Sequence, residues 1–175
     1  MTASFARVAL AALVTLGGAA TAQEVSENRV AAQTDWSVFV ESDPTECWGV
    51  SAPREQENTR DGQPVTVRRG DALLFIAYRP GSNVAGEVSF TGGYPFADDS
   101  TVQMTIGGDS YELFTEGEWA WPASPDVDAE IVERMRTGAE AVLVGRSGRG
   151  TRTEDTFSLL GFTAALEEAG NRCGG

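Results

Sequence analysis

From residue 35 to residue 162 apolar positions recur mainly at every second residue, the period of a half-buried strand. In DWSVFVE, Trp36, Val38 and Val40 fall on one side and Ser37 and Phe39 on the other. After the turn SDPT, ECWGVSA continues the pattern, so 35–52 predicts a hairpin with Trp36 and Trp48 in the core. PREQENTRDGQ (53–63) is charged and turn-rich and predicts a loop; PVTVRRG (64–70) predicts a short strand. DALLFIAYRP (71–80) is the most apolar run of the mature chain, too short between Gly70 and Pro80 for a buried helix, and predicts a central strand. GEVSFTGGYPF adds a strand and a glycine turn. STVQMTIGGDSYELFTE predicts a hairpin: Val102, Met104 and Ile106 alternate, Gly107-Gly108 accepts positive φ, and Tyr111 and Leu113 resume the pattern. EAVLVGRS and TEDTFSLLGF predict a last strand pair.

Two stretches change to a helical period. In SPDVDAEIVERMRTG, Ser124 caps, Pro125 takes the first helical position, Asp126 and Asp128 sit at the positive end, and Arg134 and Arg136 near the negative end. Val127, Ile131, Val132 and Met135 form its apolar stripe, and Gly138 ends it. TAALEEAG (163–170) predicts a second, shorter helix ending at Gly170. Seven to nine short strands with frequent turns define an all-β, single-domain antiparallel β-sandwich carrying one or two short peripheral helices.

The N-terminus departs from this pattern. Arg7 precedes an apolar run from Val8 to Leu16, and Ala20-Thr21-Ala22 offers small residues at a cleavage site, which predicts a signal peptide over 1–22 and mature protein from Gln23 in the periplasm, at the cell surface or secreted. The run is too short to span a bilayer of about 30 Å. Residues 23–34 are polar without a sustained period and predict a flexible leader, leaving 35–175 as the folded domain. Losing Arg7 takes the formal charge from −13 to −14, a field that repels nucleic acid and anionic lipid. Cys47 and Cys173 are the only cysteines; an even pair in an exported chain predicts a disulfide, worth about 4–5 kcal/mol of loop-closure entropy, with two free thiols as the alternative.

Candidate chemistry is narrowed by what the sequence lacks. Without histidine, Ser-His-Asp and Cys-His arrangements and the common zinc and copper sites are excluded; without lysine, so are Schiff bases, Ser-Lys dyads and a phosphate-binding P-loop. Gly145 and Gly150 have the spacing of P-loop glycines, but Thr151 stands where the lysine belongs. GRSGRGTRTEDT therefore reads as a structural hairpin. Its Arg146, Arg149 and Arg152 either form surface ion pairs or, with the glycine-rich backbone, hold a carboxylate or sulfate. Carboxylates abound at Asp98, Asp99, Asp126, Asp128 and Glu130, without calcium-loop spacing. Tyr94, Phe96, Trp119 and Trp121 flank glycine or proline in apparent loops and form a candidate partner-binding surface, or else cover the end of the core. No cofactor is expected.

MRTGAEAVLVGRSGRGTRTEDTFSLLGFTAALEEAGNRC resembles the C-terminal part of the invasion-associated locus B family of exported bacterial proteins. The similarity rests on Gly145-Arg146-Ser147, RGT at 149–151, DTFSLLGF at 155–162, Trp36 opening the first strand, LLFIAYRP and GYPF. SL-x-GF is its most specific block. The resemblance implies a periplasmic or surface β-sandwich with no catalytic residues to carry over. The chain has one cysteine pair where better-known members have more, so a host-entry role is not carried over. The expectation is a non-catalytic envelope or interaction protein whose partner is an envelope protein or polymer. The alternative is a hydrolase using two carboxylates on a glycan or envelope polymer.

Overall fold

A computed structural model describes residues 28–173. The predicted signal peptide, its cleavage site and the first residues of the leader lie outside the described residues. In chain order the elements are β1 (Arg29–Gln33), β2 (Trp36–Ser42), β3 (Thr45–Ser51), β4 (Glu55–Arg60), β5 (Gln63–Pro64) and β6 (Leu73–Arg79). There follow β7 (Val84–Thr91), β8 (Thr101–Ile106), β9 (Asp109–Glu116), β10 (Trp119–Trp121), α1 (Pro125–Thr137), β11 (Glu140–Arg146), β12 (Arg152–Ser158) and α2 (Phe162–Cys173). The strands form one unclosed antiparallel sheet in the order β1-β2-β3-β6-β7-β10-β9-β8-β11-β12-β4-β5.

The sheet folds over the β8–β9 hairpin so that its two halves share one core, the β-sandwich arrangement the alternation predicts. Phe90 of β7 meets Phe157 of β12 edge to face at 6.0 Å between centroids, with Leu74, Ile76, Val102, Met104, Leu113 and Leu143 buried around them. The half built on β1, β2, β3 and β6 is closed by α2. Its Ala165 approaches Gly49, and Phe162 meets Trp36 edge to face at 5.1 Å. Cys47 and Cys173, both buried, form a disulfide that fastens the last turn of α2 to β3.

Helix α1 follows its sequence signals closely. The Ser124 hydroxyl accepts from Val127 N, and Ile131, Val132 and Met135 are buried. Burying such side chains stabilises by about 1.5–3 kcal/mol each. Gly138 ends the helix with ordinary φ; it is required because a Cβ there would lie 2.7 Å from Ile106 Cγ2. Asp128 Oδ1 accepts from Val88 N and fastens α1 to β7, and half-burial pushes its carboxyl above the usual range, opposed by that hydrogen bond.

Several expectations need correction. The 29–33 part of the predicted leader is β1, paired to β2 through backbone groups that its polar composition does not reveal. EQENTR, read as loop, is β4: it borrows its ladder from β12 at the sheet's periphery, where side chains need not be apolar. Of 64–70 only Pro64 joins a strand; residues 65–72 cross the open end of the sandwich instead. Helix α2 runs through Gly170 to Cys173, with Gly170 close to the Tyr78 ring and the disulfide holding the final turn. Trp36 is core as expected, whereas Trp48 is half-buried and points to the opposite face from buried Cys47.

Candidate functional site

Two regions carry concentrated chemistry: a cleft at the open end of the sandwich and the outward face of β2, β3, β6, β7, β10 and β9.

The cleft begins with the alternation of β12. Thr153, Asp155 and Phe157 all face inward, and Asp155 is completely buried. A buried carboxylate requires a partner. Arg69, on the 65–72 crossing, supplies it with both terminal guanidinium nitrogens: Nη1 donates to Oδ2 at 2.8 Å and Nη2 donates to Oδ1. Gln56 Nε2 donates to Oδ1 at 3.2 Å, and Arg69 Nη1 also donates to the Gly92 carbonyl at 3.1 Å. The crossing is placed by a close backbone approach, with Gly70 N donating to Gly93 O at 2.8 Å. Gly93 has φ +71°, and a Cβ on it would lie 2.3 Å from Gly70 O, so only glycine fits.

Tyr94 stands beside this pair. Its ring centroid is 5.9 Å from the Arg69 guanidinium carbon and its hydroxyl shares a 2.6 Å hydrogen bond with Thr153 Oγ1. Burial raises its phenol above the ordinary value, partly offset by the Thr153 bond. The resulting cleft has a volume of about 740 Å³. Arg60, Arg68 and Arg149 line it with Arg69, Tyr94 and Ser147. Among the described residues no carboxylate lines it.

The β11–β12 turn forms one wall. Ser147 N donates to Thr151 O, Gly150 N to Ser147 O, Gly148 N to Pro95 O, and Thr151 N to Ser147 Oγ. These four backbone donors are spent within the turn and its neighbour, so the stretch is a structural hairpin and not a backbone cradle. The three arginines of this stretch, read as surface ion pairs or as a joint anion site, separate: Arg152 pairs with Glu154, Arg146 is exposed on β11, and Arg149 reaches the cleft. Arg60, Arg68 and Arg69 were missed by sequence reasoning. The available signal was Asp155 sharing a strand face with Phe157, which calls for a cation from elsewhere in the chain.

The four candidate aromatics do not form one surface. Phe96 is buried, 5.0 Å from Tyr94 and 6.1 Å from Phe90, so it belongs to the core, and Tyr94 belongs to the cleft. Trp119 and Trp121 are in β10 and not in a loop: Ala120 between them is fully buried, which turns both indoles outward. They stack at 6.3 Å with a 21° interplanar angle, and Phe75 lies 5.4 Å from Trp119. Register extends the surface: Trp121 is opposite Phe114, and Phe75 is opposite Val50. Trp48, two residues from Val50 and opposite Phe39, shares that face. Trp119 is 38% and Phe114 53% exposed. Ser89, small and opposite Phe75, is buried on the same face.

Asp98 and Asp99 line none of the three main clefts. The cleft between β9 and α1 has Asp109, Glu130 and Glu133, and there Asp109 pairs with Arg134. Among the described residues no three of His, Cys, Asp and Glu are grouped to hold a metal ion, and no helix is long and apolar enough to cross a membrane.

The SL-x-GF block gains its meaning from packing. Trp36 Nε1 donates to the Ser158 carbonyl at 3.0 Å, Phe162 covers the same indole, and Gly161, at φ +91°, would place a Cβ 1.9 Å from Gln33 O. The block thus clasps the first two strands to the last helix. The molecule is an antiparallel β-sandwich defined by this tryptophan clasp, with an outward aromatic face and an arginine-lined cleft. Residues 36–170 match the family model described as "Invasion associated locus B (IalB) protein", and the chain belongs to that family. No curated protein and no solved structure gives a significant match.

Proposed function

We propose that the protein is an exported, periplasmic, non-catalytic binding module whose outward aromatic face docks an envelope protein. Export rests on the signal-like residues 1–22 and agrees with family membership. The observation that carries the binding role is the continuous outward apolar surface made by Trp48, Val50, Phe75, Trp119, Trp121 and Phe114. Aromatic side chains concentrate binding energy, and an exposed contiguous group of them marks an interaction surface.

The border of this face indicates the partner's chemistry. Glu41 and Glu46 are directly opposite each other at one margin, and Glu112 and Glu116 flank Phe114 at the other. An apolar ridge bordered by lysine or arginine satisfies both the rings and the acids, and the strongly acidic chain steers such a partner toward it. A carboxylate hydrolase would need two acids about 5–9 Å apart in a cleft, and none of the features of the aromatic face serves that chemistry.

A photo-crosslinking residue placed at Phe114 should yield a discrete adduct with one envelope protein in intact cells. The same residue at Arg136, on α1, should not. Replacing Trp119 and Trp121 together with alanine should abolish the Phe114 adduct while preserving the β-type circular dichroism spectrum. An unchanged adduct in that variant refutes the docking role. The intact mass of protein released by osmotic shock should begin at Gln23; a product retaining Arg7 refutes the export reading.

A further inference from the structure

We propose that the arginine-lined cleft binds an organic polyanion, a molecule bearing two or three carboxylate or phosphate groups. The inference is independent of the aromatic face.

Its basis is a charge distribution opposed to that of the whole molecule. The chain has twenty-six acidic and thirteen basic residues, all thirteen arginine. A cleft sampling that composition at random would hold about two acids for every arginine. This one holds four arginines and no carboxylate among its lining residues. Arg69 is neutralised by Asp155 behind the wall and serves to fix the wall in place. Arg60, Arg68 and Arg149 remain. None forms an ion pair among the described residues, and Arg60 donates instead to the Thr151 hydroxyl at 2.7 Å. Three guanidinium groups facing one space repel each other unless an anion enters, and the planar guanidinium fork matches carboxylate and phosphate oxygens.

The walls define the rest of the ligand. The cleft volume, about 740 Å³, is in the range of small-molecule sites, roughly 300–1,000 Å³. Tyr94, Pro95 and Val67 offer an apolar wall to a ring or carbon skeleton. The Tyr94 hydroxyl is committed to Thr153, so its ring and not its oxygen is what a ligand meets. Four of the five backbone donors of the Ser147–Thr151 turn are already spent, all but Arg149 N, which leaves recognition mainly to the arginine side chains. Such a group can belong to a free small molecule or to a repeating unit of an anionic envelope polymer; the recognising chemistry is the same.

Calorimetry on the purified, disulfide-bonded protein tests this with three probes: inorganic phosphate, inorganic tripolyphosphate and long-chain polyphosphate. Tripolyphosphate should bind with one-to-one stoichiometry at low ionic strength, at least tenfold more tightly than phosphate, and weaken as salt is added. Arg68→Gln and Arg149→Gln should each reduce its affinity about tenfold or more. Arg136→Gln, on α1, should leave it unchanged. Long-chain polyphosphate binding more tightly than tripolyphosphate, with the same dependence on Arg68 and Arg149, assigns the cleft to a polymer; equal affinity assigns it to a small molecule. Absence of tripolyphosphate binding overturns the proposal. So does binding that Arg136→Gln weakens as much as Arg149→Gln, because the attraction would then be diffuse. Circular dichroism melts of each variant confirm that a lost affinity is not lost folding.

Discussion

Replacing Arg69 with methionine is the most searching test of how the sandwich closes. The Arg69 side chain is 8% exposed and that of Asp155 0%. After the substitution Asp155 keeps one neutral donor, Gln56 Nε2 at 3.2 Å, against the three it had. Removing one member of a buried pair costs about 3–5 kcal/mol, because an uncompensated charge stays behind. Domains of this size have only about 5–15 kcal/mol in total, so Arg69→Met should consume roughly a fifth or more of the stability. Each kcal/mol lowers Tm by about 2–4 °C in this size range. Asp155→Leu should cost less, about 1–3 kcal/mol, because Arg69 borders the cleft and can turn toward water while keeping the Gly92 carbonyl. The double variant Arg69→Met/Asp155→Leu removes both charges and should recover to within about 1 kcal/mol of the unmodified protein. Equilibrium urea unfolding followed by tryptophan fluorescence measures all four, with unchanged m-values required. Two results refute the reasoning: Arg69→Met costing below about 1 kcal/mol, or the double variant losing the sum of the two single losses.

Two further predictions are independent of that pair. The Cys47–Cys173 bond spans 126 positions, so its chain-entropy contribution is about 5 kcal/mol and Cys47→Ala/Cys173→Ala should lower Tm by roughly 10–20 °C; a drop below about 3 °C in a calorimetric scan would remove loop closure as its main role. Asp128 is half-buried and its carboxyl is raised above 3.8 mainly by desolvation, so between 3.8 and its folded value the folded state binds more protons than the unfolded state and stability falls as pH rises. Asp128→Asn keeps an acceptor for Val88 N and removes this dependence. Its stability relative to the unmodified protein should therefore rise from pH 4 to pH 7 in urea titrations, and a relative decline across that interval contradicts the sign.

Strands whose two faces differ in polarity were legible from sequence: Trp36–Val40, the Val102–Leu113 hairpin and the apolar run through Leu74 and Ile76. Those paired only through backbone were not. Glu55–Arg60 has no apolar face, and its ladder depends on β12, almost a hundred residues away. Trp119 and Trp121 looked like loop residues because proline and glycine surround them, yet Ala120 between them marks a two-residue period just long enough for β10. Trp48 was misassigned because alternation says that two faces differ and not which one is covered. The cleft was the least legible feature. Its cations come from β4, the 65–72 crossing and the β11–β12 turn, and only the Gly70–Gly93 approach brings them to one place.

The disulfide also determines where the folded domain meets the rest of its chain. Val40 N donates to the Asn28 carbonyl, Val40 is the ladder partner of Cys47, and Cys47 is bonded to Cys173. The first and last described residues therefore leave from neighbouring points on one rung. Cys47 faces the α2 side, away from Trp48 and the outward rings. A tether, tag or fused domain joined at either end would emerge at a common anchor point, beside Glu41, to which Asn28 Nδ2 donates. Residues 28–173 would accordingly fit into a longer polypeptide as a side insertion, with both junctions side by side.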